Sequence, residues 1–288
     1  MASARSAAGT VRDALAAATD ALDAAGVEAP RLDAEVMLAA AAGVDRARLA
    51  VEPEASVDAP AGRRFGAMVR RRVEREPVAY ILGRRGFRRI ELEVDRRVLI
   101  PRPETELLVE VALELGPRAV LDVGTGSGAV ALAIADELPG VEVAATDSST
   151  AALDVARANA ARLGLTNRIR FAQGTLPATG VFDLLVANLP YVAADEWADL
   201  APEITGHEPR EALVAGASGL EAIEALLRAL AEREQTPRAV ALEVGAGQAT
   251  AVAELVSGAG FAAVERRDDL AGIARVVLGR AEPAGWRS

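Results

Sequence analysis

Apolar residues first recur at helical spacing. Over residues 10–26 (TVRDALAAATDALDAAG), Val11, Leu15, Ala18 and Leu22 share one helical face, with Thr10 placed to cap the start and Gly26 to close the end. Residues 31–42, opening after Pro30 and ending at Gly43, and residues 60–75 read the same way. Residues 1–76 are therefore expected to form a small helical bundle. The period then drops to two. In GFRRIELEVDRRVLIPRPE (86–104), Phe87, Ile90, Leu92 and Val94, then Val98 and Ile100, alternate with charge, which predicts a β-hairpin turning near Asp95-Arg96 within a linker over residues 77–103.

Beyond residue 104 the pattern is strand and helix in turn. AVLDV (119–123), VEVAATD (141–147), RIRFAQ (168–173), FDLLVAN (182–188) and AVALEV (239–244) read as strands, separated by helical stretches at 128–138, 149–163 and 219–234 and followed by one at 248–259. That is the signature of a parallel sheet covered on both faces, here assigned to residues 104–288. Two more strand-like runs, 261–267 and 274–280, follow with no strong helix between them, so the sheet should finish as an antiparallel pair. The expected fold class is α/β, a Rossmann-like seven-stranded, mostly parallel sheet. Its ending resembles class I S-adenosylmethionine-dependent methyltransferases more than dinucleotide dehydrogenases.

Composition narrows the chemistry. Hydrophobic residues make up 51% of the 288 and aromatic ones 3%, so the core must rest on Leu, Val and Ala. No apolar stretch is long enough to span a bilayer, and Arg12, Asp13, Asp20 and Asp23 interrupt the region where a signal peptide would need an apolar centre. A cytoplasmic protein without membrane association is expected, and a monomer. Cysteine is absent, which excludes disulfides, thiolate nucleophiles and Cys-bound metals. The single histidine, His207, cannot build a multi-histidine site and reads as a solvated loop residue, so no metal is expected. The net charge of −10 argues against coating nucleic acid by bulk attraction. Residues 63–102 nevertheless hold thirteen Arg against five acids. A salt-bridged surface and a docking face for an acidic partner both fit that surplus.

LDVGTGSGAVALAIA places Gly124, Gly126 and Gly128, with Thr125 and Ser127 between them, at a strand-to-helix junction, where glycine lets the backbone turn tightly and approach a ligand. Asp122 stands two residues before the first glycine, the form of an S-adenosylmethionine loop; a dehydrogenase fingerprint would need glycine at Ala129. Asp147 ends the next strand, where a carboxylate can accept both hydroxyls of an adenosine ribose. Leu176, just past the third strand, lies where this fold usually sets a side chain along adenine, and reads equally as an ordinary loop leucine. The fourth strand ends in Asn188-Leu189-Pro190-Tyr191. The Asn188 amide oxygen cannot titrate away. Pro190 holds Leu189 in an extended conformation that aims its carbonyl. Two such acceptors take both hydrogens of an NH₂ group and leave its nitrogen facing a methyl donor, and Tyr191 can stack on a flat amide or base. Glu104 and Glu106 are candidates to line the pocket, but an acid-rich helix N-terminus is the favoured reading.

EPVAYILGRRGF (76–87), VLIPRPETELLVE (98–110), LDVGTGSGAVALAIA (121–135), HEPREALVAGASGLEAI (207–223), LEVGAGQ (242–248) and DLAGIARVVLGR (269–280), in this order, resemble the protein N5-glutamine methyltransferase family (PrmC/HemK). The resemblance implies S-adenosyl-L-methionine as cofactor and, as substrate, the Gly-Gly-Gln glutamine of class I peptide-chain release factors, with the helical bundle docking that partner and no stable nucleic-acid binding. It also implies that Asn188 and the Leu189 carbonyl grip the glutamine amide while Tyr191 packs against it. Leu189 departs from the commoner Pro-Pro form. Asn-Leu-Pro-Tyr also resembles rRNA adenine dimethyltransferases, so N6-adenine methylation of rRNA or DNA is the alternative reading. A ribosome-associated binding module that has lost catalysis is the third, against which the intact loop, Asp147 and Asn188 weigh.

Overall fold

The computed structural model describes residues 9–177 and 179–281. Contacts divide the chain into two units: residues up to Gly83 together with Ala201–His207, and Arg84–Leu200 together with residues from Glu208 onward.

The first unit is helical: α1 (Val11–Ala24), α2 (Pro30–Ala42), α3 (Arg46–Val51), α4 (Ala59–Val73) and α5 (Val78–Leu82), with α9 (Pro202–His207) joining from the later insertion. Leu15, Leu22, Met37, Leu38 and Phe65 fill its core. Arg72, nearly buried, anchors the insertion: its guanidinium lies 2.7 Å from Asp33 and 2.9 Å from Glu203. Glu203 sits below the usual carboxylate range; burial opposes this, and hydrogen bonds from Arg75 and Arg72 outweigh it. His207 is in this short helix, its Nε2 3.3 Å from the Glu74 carbonyl, rather than in a solvated loop.

The start of α1 is a full capping box. The Thr10 hydroxyl accepts from the Asp13 N–H at 3.1 Å, and Asp13 accepts from the Thr10 N–H at 3.2 Å. Thr10→Ala is expected to cost about 1 kcal/mol, seen as a lower urea midpoint for this unit. An unchanged midpoint would show that the cap adds nothing.

In the second unit, β1 (Arg84–Phe87) and β2 (Ile90–Glu93) form an antiparallel hairpin. Its turn is at Arg88-Arg89, not near Asp95-Arg96 as the alternation suggested. Arg88 adopts a left-handed φ of 51°. Carboxylates hold it there: Glu137 at 2.8 and 2.9 Å and Glu110 at 3.1 Å on the guanidinium, and Glu106 at 3.1 Å on the backbone N–H. Val94, Val98 and Ile100 are buried as expected, but from a loop: Asp95 bonds the backbone and side chain of Arg97, and no ladder forms.

The main sheet has seven strands, with α6 (Glu106–Leu115) preceding β3 (Ala119–Val123). Then come α7 (Ala129–Glu137), β4 (Glu142–Asp147), α8 (Thr150–Arg162), β5 (Ile169–Gln173) and β6 (Leu184–Ala187). After β7 (Val192–Ala193) and β8 (Val214–Gly216), a small parallel pair, follow α10 (Glu221–Ala231), β9 (Ala239–Glu243), α11 (Ala249–Gly258), β10 (Ala263–Asp268) and β11 (Ala274–Arg280). The order is β10-β11-β9-β6-β3-β4-β5, parallel from β9 to β5. β11 runs antiparallel to both neighbours, because the five residues joining β10 to β11 are too few for a crossover. β6 and Ala129–Ala135 of α7 are buried throughout, as their continuous apolar sequences require, and β9 is buried along its whole length including its closing Glu243.

Of the thirteen arginines between residues 63 and 102, at least eight have carboxylate partners among the described residues, including Arg71, Arg72, Arg75, Arg84, Arg88, Arg89, Arg97 and Arg102. Most of that surplus is spent on internal ion pairs.

Candidate active site

From β3 the sheet builds outward through β4 to β5, then returns to place β6 on the other side of β3. That reversal opens a crevice at the carboxyl ends of β3 and β6, the place where open α/β sheets bind ligands. A cleft lies there, lined by Asp122, Gly124, Thr125, Gly126 and Ser127 from the β3–α7 loop, by Asp147 at the end of β4, by Gly174 and Thr175 after β5, and by Asn188, Leu189 and Pro190 after β6. Pro101, Arg102 and Thr105 close it from the segment before α6.

Local hydrogen bonds explain the shape of the loop. The Gly124 and Thr125 N–H groups both donate to the Thr146 carbonyl at 2.9 Å, pinning the loop to β4. Asp122 is 2% exposed, and its Oδ2 accepts from the Thr125 hydroxyl at 2.6 Å and the Ala131 N–H at 3.2 Å. It thus ties β3 to the first turn of α7 while lining the cleft. A Cβ on Gly124, at φ 74°, would lie 3.1 Å from Leu189, so the loop and the fourth-strand tip pack directly. Asn159, fully buried, donates to the Ser127 and Glu93 carbonyls at 3.0 Å and accepts from the Glu93 N–H at 2.7 Å, tying the hairpin to the loop.

Asp147 accepts from the Gly126 N–H on one oxygen and the Ser149 N–H on the other, both at 2.9 Å. A carboxylate has about four lone-pair sites, so two remain. That is the number a ribose diol requires, and the donor set fits an adenosine cofactor.

At the tip, the Asn188 Nδ2 donates to the Thr105 hydroxyl at 3.1 Å. Glu243, 2% exposed, closes β9 with its Oε2 buried and without a partner among the described residues. Gln248 holds the next residues: its Nε2 donates to the Tyr191 carbonyl at 2.8 Å and its Oε1 accepts from the Gly245 N–H at 2.9 Å.

Three expected residues lie off the wall of the cleft. Gly128 packs α7 against α8: a Cβ there would come within 2.8 Å of Leu132 and 3.3 Å of Ala156. Leu176 packs against the apolar core beneath the sheet. Tyr191 sets its ring against Gly245; burial first, then the charge of Glu243, pushes the phenol up to about 12, so it stays neutral. Thr105, Glu243 and Gln248 carried no signal of their own in the sequence. Thr105 lies between the two acids that drew attention instead.

Burial pushes Asp122 up to about 7, with Asp147 adding to it and the Thr125 and Ala131 hydrogen bonds opposing. Burial likewise pushes Glu243 up to about 7; Glu104 adds, while Thr105, Arg275 and Arg102 oppose. Both lie above their ordinary values, 3.8 and 4.5, so the folded state binds these protons more readily than the unfolded chain. The resulting stability is present on the acid side and lost as pH rises through about 7. The melting temperature without ligand is expected to be higher near pH 6 than near pH 8. Asp122→Asn combined with Glu243→Gln should flatten the difference; a wild type that melts lower near pH 6 would contradict the assignment.

Residues 13–83 match the family model described as the PrmC N-terminal domain, and residues 103–216 the methyltransferase small domain. A release factor glutamine methyltransferase from Cereibacter sphaeroides is 42% identical over 270 residues, covering 93% of this chain and 97% of that protein. One from Caulobacter vibrioides is 39% identical, covering 95% and 97%, and one from Moorella thermoacetica is 41% identical, covering 87% and 91%. Among solved structures, the hMettl16 catalytic domain in complex with MAT2A 3′UTR hairpin 1 superposes with a TM-score of 0.57 at 15% identity, over 81% of this chain and 85% of that one, a likeness of fold alone. With a sheet, a cleft and near-complete coverage all in agreement, the chain belongs to the release factor glutamine methyltransferase family.

Proposed function

We propose that this enzyme transfers a methyl group from S-adenosyl-L-methionine to the side-chain amide nitrogen (N5) of the Gly-Gly-Gln glutamine of class I peptide-chain release factors. The observation that carries the reading is the meeting, in one cleft, of the Gly124–Ser127 loop and Asp147 with Asn188. When bound, S-adenosyl-L-methionine supplies an electrophilic methyl on its sulfonium. Asp147 would hold the ribose hydroxyls on its two free lone pairs, and the glycine loop would let the backbone approach the cofactor.

An amide nitrogen is a weak nucleophile because its lone pair is delocalised. The chain's task is therefore orientation, worth up to ~7–11 kcal/mol in favourable cases. Asn188 Oδ1 and the Leu189 carbonyl would accept the two N–H hydrogens, fix the nitrogen in line with the methyl and raise electron density on it. Tyr191, neutral and held through its carbonyl by Gln248, would support the tip.

The helical unit would dock the release factor. The enzyme would act as a monomer in the cytoplasm, without stable binding to membrane or nucleic acid; a net charge of −10 supports the last point. Purified protein incubated with labelled S-adenosyl-L-methionine and release factor should add one methyl to the Gly-Gly-Gln peptide, read by mass spectrometry. Label in RNA or DNA instead would favour adenine methylation.

A further inference from the structure

We infer that Glu208 is a positioning residue that fixes the outer wall of the cleft against the fourth-strand tip, and with it the slot the glutamine side chain enters; the inference rests on the glutamine-methylation reading above. The cleft has two kinds of wall. On the nucleotide side, the β3–α7 loop and Asp147 stand at strand ends and are held by backbone hydrogen bonds. The opposite wall has no such support. Arg97, Pro101 and Arg102 come to it from the loop before α6, and Pro209, Glu211 and Ala212 from the turn after α9. Neither segment is a strand of the sheet, so no ladder sets where they stand.

One carboxylate joins the two segments. The Glu208 side chain is 2% exposed; its Oε2 accepts from the Ile100 N–H at 3.1 Å and its Oε1 from Arg102 Nη2 at 2.5 Å. The first segment is thus gripped twice, once by its backbone and once by a side chain that lines the cleft. The turn carries the grip onward. It is closed by bonds from the Ala212 N–H to the Pro209 carbonyl at 3.0 Å and from the Leu213 N–H to the Arg210 carbonyl at 3.1 Å. Leu213 is buried, and its own carbonyl accepts from the Tyr191 N–H at 3.1 Å and the Val192 N–H at 2.8 Å. A hydrogen-bonded path therefore runs from residues 100–102 through Glu208 and the turn to the tip that begins at Asn188.

Stability is a poor reason for this arrangement. Desolvating a carboxylate is costly, and its arginine partner is 30% exposed, so the pair returns little of that cost. Position is a better one. Both bonds are charge-assisted and directional, and they meet at the point where two irregular segments must be set against the residues proposed to hold the amide.

The test uses the full chain, release factor and S-adenosyl-L-methionine, with Glu208→Gln, Glu208→Asp and, for comparison, Glu137→Gln. Glutamine keeps the shape but turns an NH₂ group against one of the two donors. Aspartate keeps the charge but is one methylene shorter, so it cannot hold both partners where they stand. Glu137, its side chain 3% exposed, is paired with Arg88 at the hairpin turn and does not line the cleft, so E137Q reports what the loss of a buried ion pair does by itself. A misplacement of about 1 Å made away from the chemistry can cost about a hundredfold, so E208Q and E208D are expected to lose about tenfold to a hundredfold in kcat/KM for release factor. The cofactor Kd by calorimetry should stay close to that of wild type, because the path ends at the tip and bypasses Asp147 and the glycine loop. E137Q should keep its kcat/KM whatever melting temperature it loses. If wild type methylates the glutamine and E208D does so equally well, or E137Q is as impaired as E208Q, the inference is overturned on its own. A cofactor Kd that rises in step with the lost kcat/KM also overturns it, by moving the clasp to the nucleotide side. E208D carries the test should E208Q fail to fold, and failure of both to fold would make Glu208 a structural residue and overturn the inference. If wild type leaves the glutamine unmodified, the functional reading fails and this inference falls with it.

Discussion

Replacing Asn188 by alanine is expected to lower the turnover of glutamine methylation by roughly a hundredfold to a thousandfold, the scale measured when one preorganised polar group is removed from a reacting centre, while the cofactor Kd stays within a few-fold. The asymmetry follows from where Asn188 sits. Its amide is bonded to Thr105, and the residue after it packs over Gly124 through a leucine side chain, which Asn188→Ala leaves in place. The β3–α7 loop is held by Thr146, Asp122 and Asp147. None of those contacts involves Asn188. Alanine therefore removes an acceptor for the substrate without dismantling the nucleotide side of the cleft. Single-turnover kinetics with saturating release factor, alongside calorimetry with cofactor alone, separates the two effects. Equal losses in turnover and cofactor affinity would mean that Asn188 belongs to the cofactor side.

The sheet was legible because its strands announce themselves individually. β6 is a continuous apolar run, β3 and β9 are apolar but for Asp122 and the closing Glu243 and lie between helices of nine to eleven residues, and the close spacing of β10 and β11 dictates their antiparallel pairing. The nucleotide side of the cleft was equally readable, since Asp122, the glycines and Asp147 lie within 26 residues and their roles follow from position at strand ends. The residues behind Asn188 were not. Thr105 is 83 residues away in the chain, and Glu243 reaches the tip only because β9 becomes the neighbour of β6. A threonine between two glutamates and a glutamate closing an apolar strand carry no local pattern. The hairpin turn was missed for a related reason: Arg88 takes a conformation usual for glycine because Glu106, Glu110 and Glu137, all from later segments, hold it. The excursion of residues 201–207 into the helical unit likewise depends on Glu203 meeting Arg72 and Arg75, partners more than a hundred residues earlier.

Asp147→Ala is expected to raise the Kd for S-adenosyl-L-methionine by roughly tenfold to a hundredfold. A hydrogen bond to a charged group contributes about 1.5–3 kcal/mol, and a buried polar partner left unsatisfied adds a cost of its own. Two routes to that loss converge in one carboxylate. Its free lone pairs would receive the ribose hydroxyls. Its occupied ones hold the Gly126 and Ser149 N–H groups, so removing it also releases the middle of the glycine loop and the entry to α8. Asp147→Asn distinguishes the routes. An asparagine oxygen can keep one of the N–H bonds but offers a donor where the second hydroxyl needs an acceptor, so it should retain more of the loop and still lose most of the affinity. Calorimetry on both variants, with kcat measured at saturating cofactor, should find weakened binding and turnover largely recovered. Unchanged cofactor affinity in Asp147→Ala would remove the carboxylate from the binding site and leave it the loop-holding role that its two backbone bonds already describe.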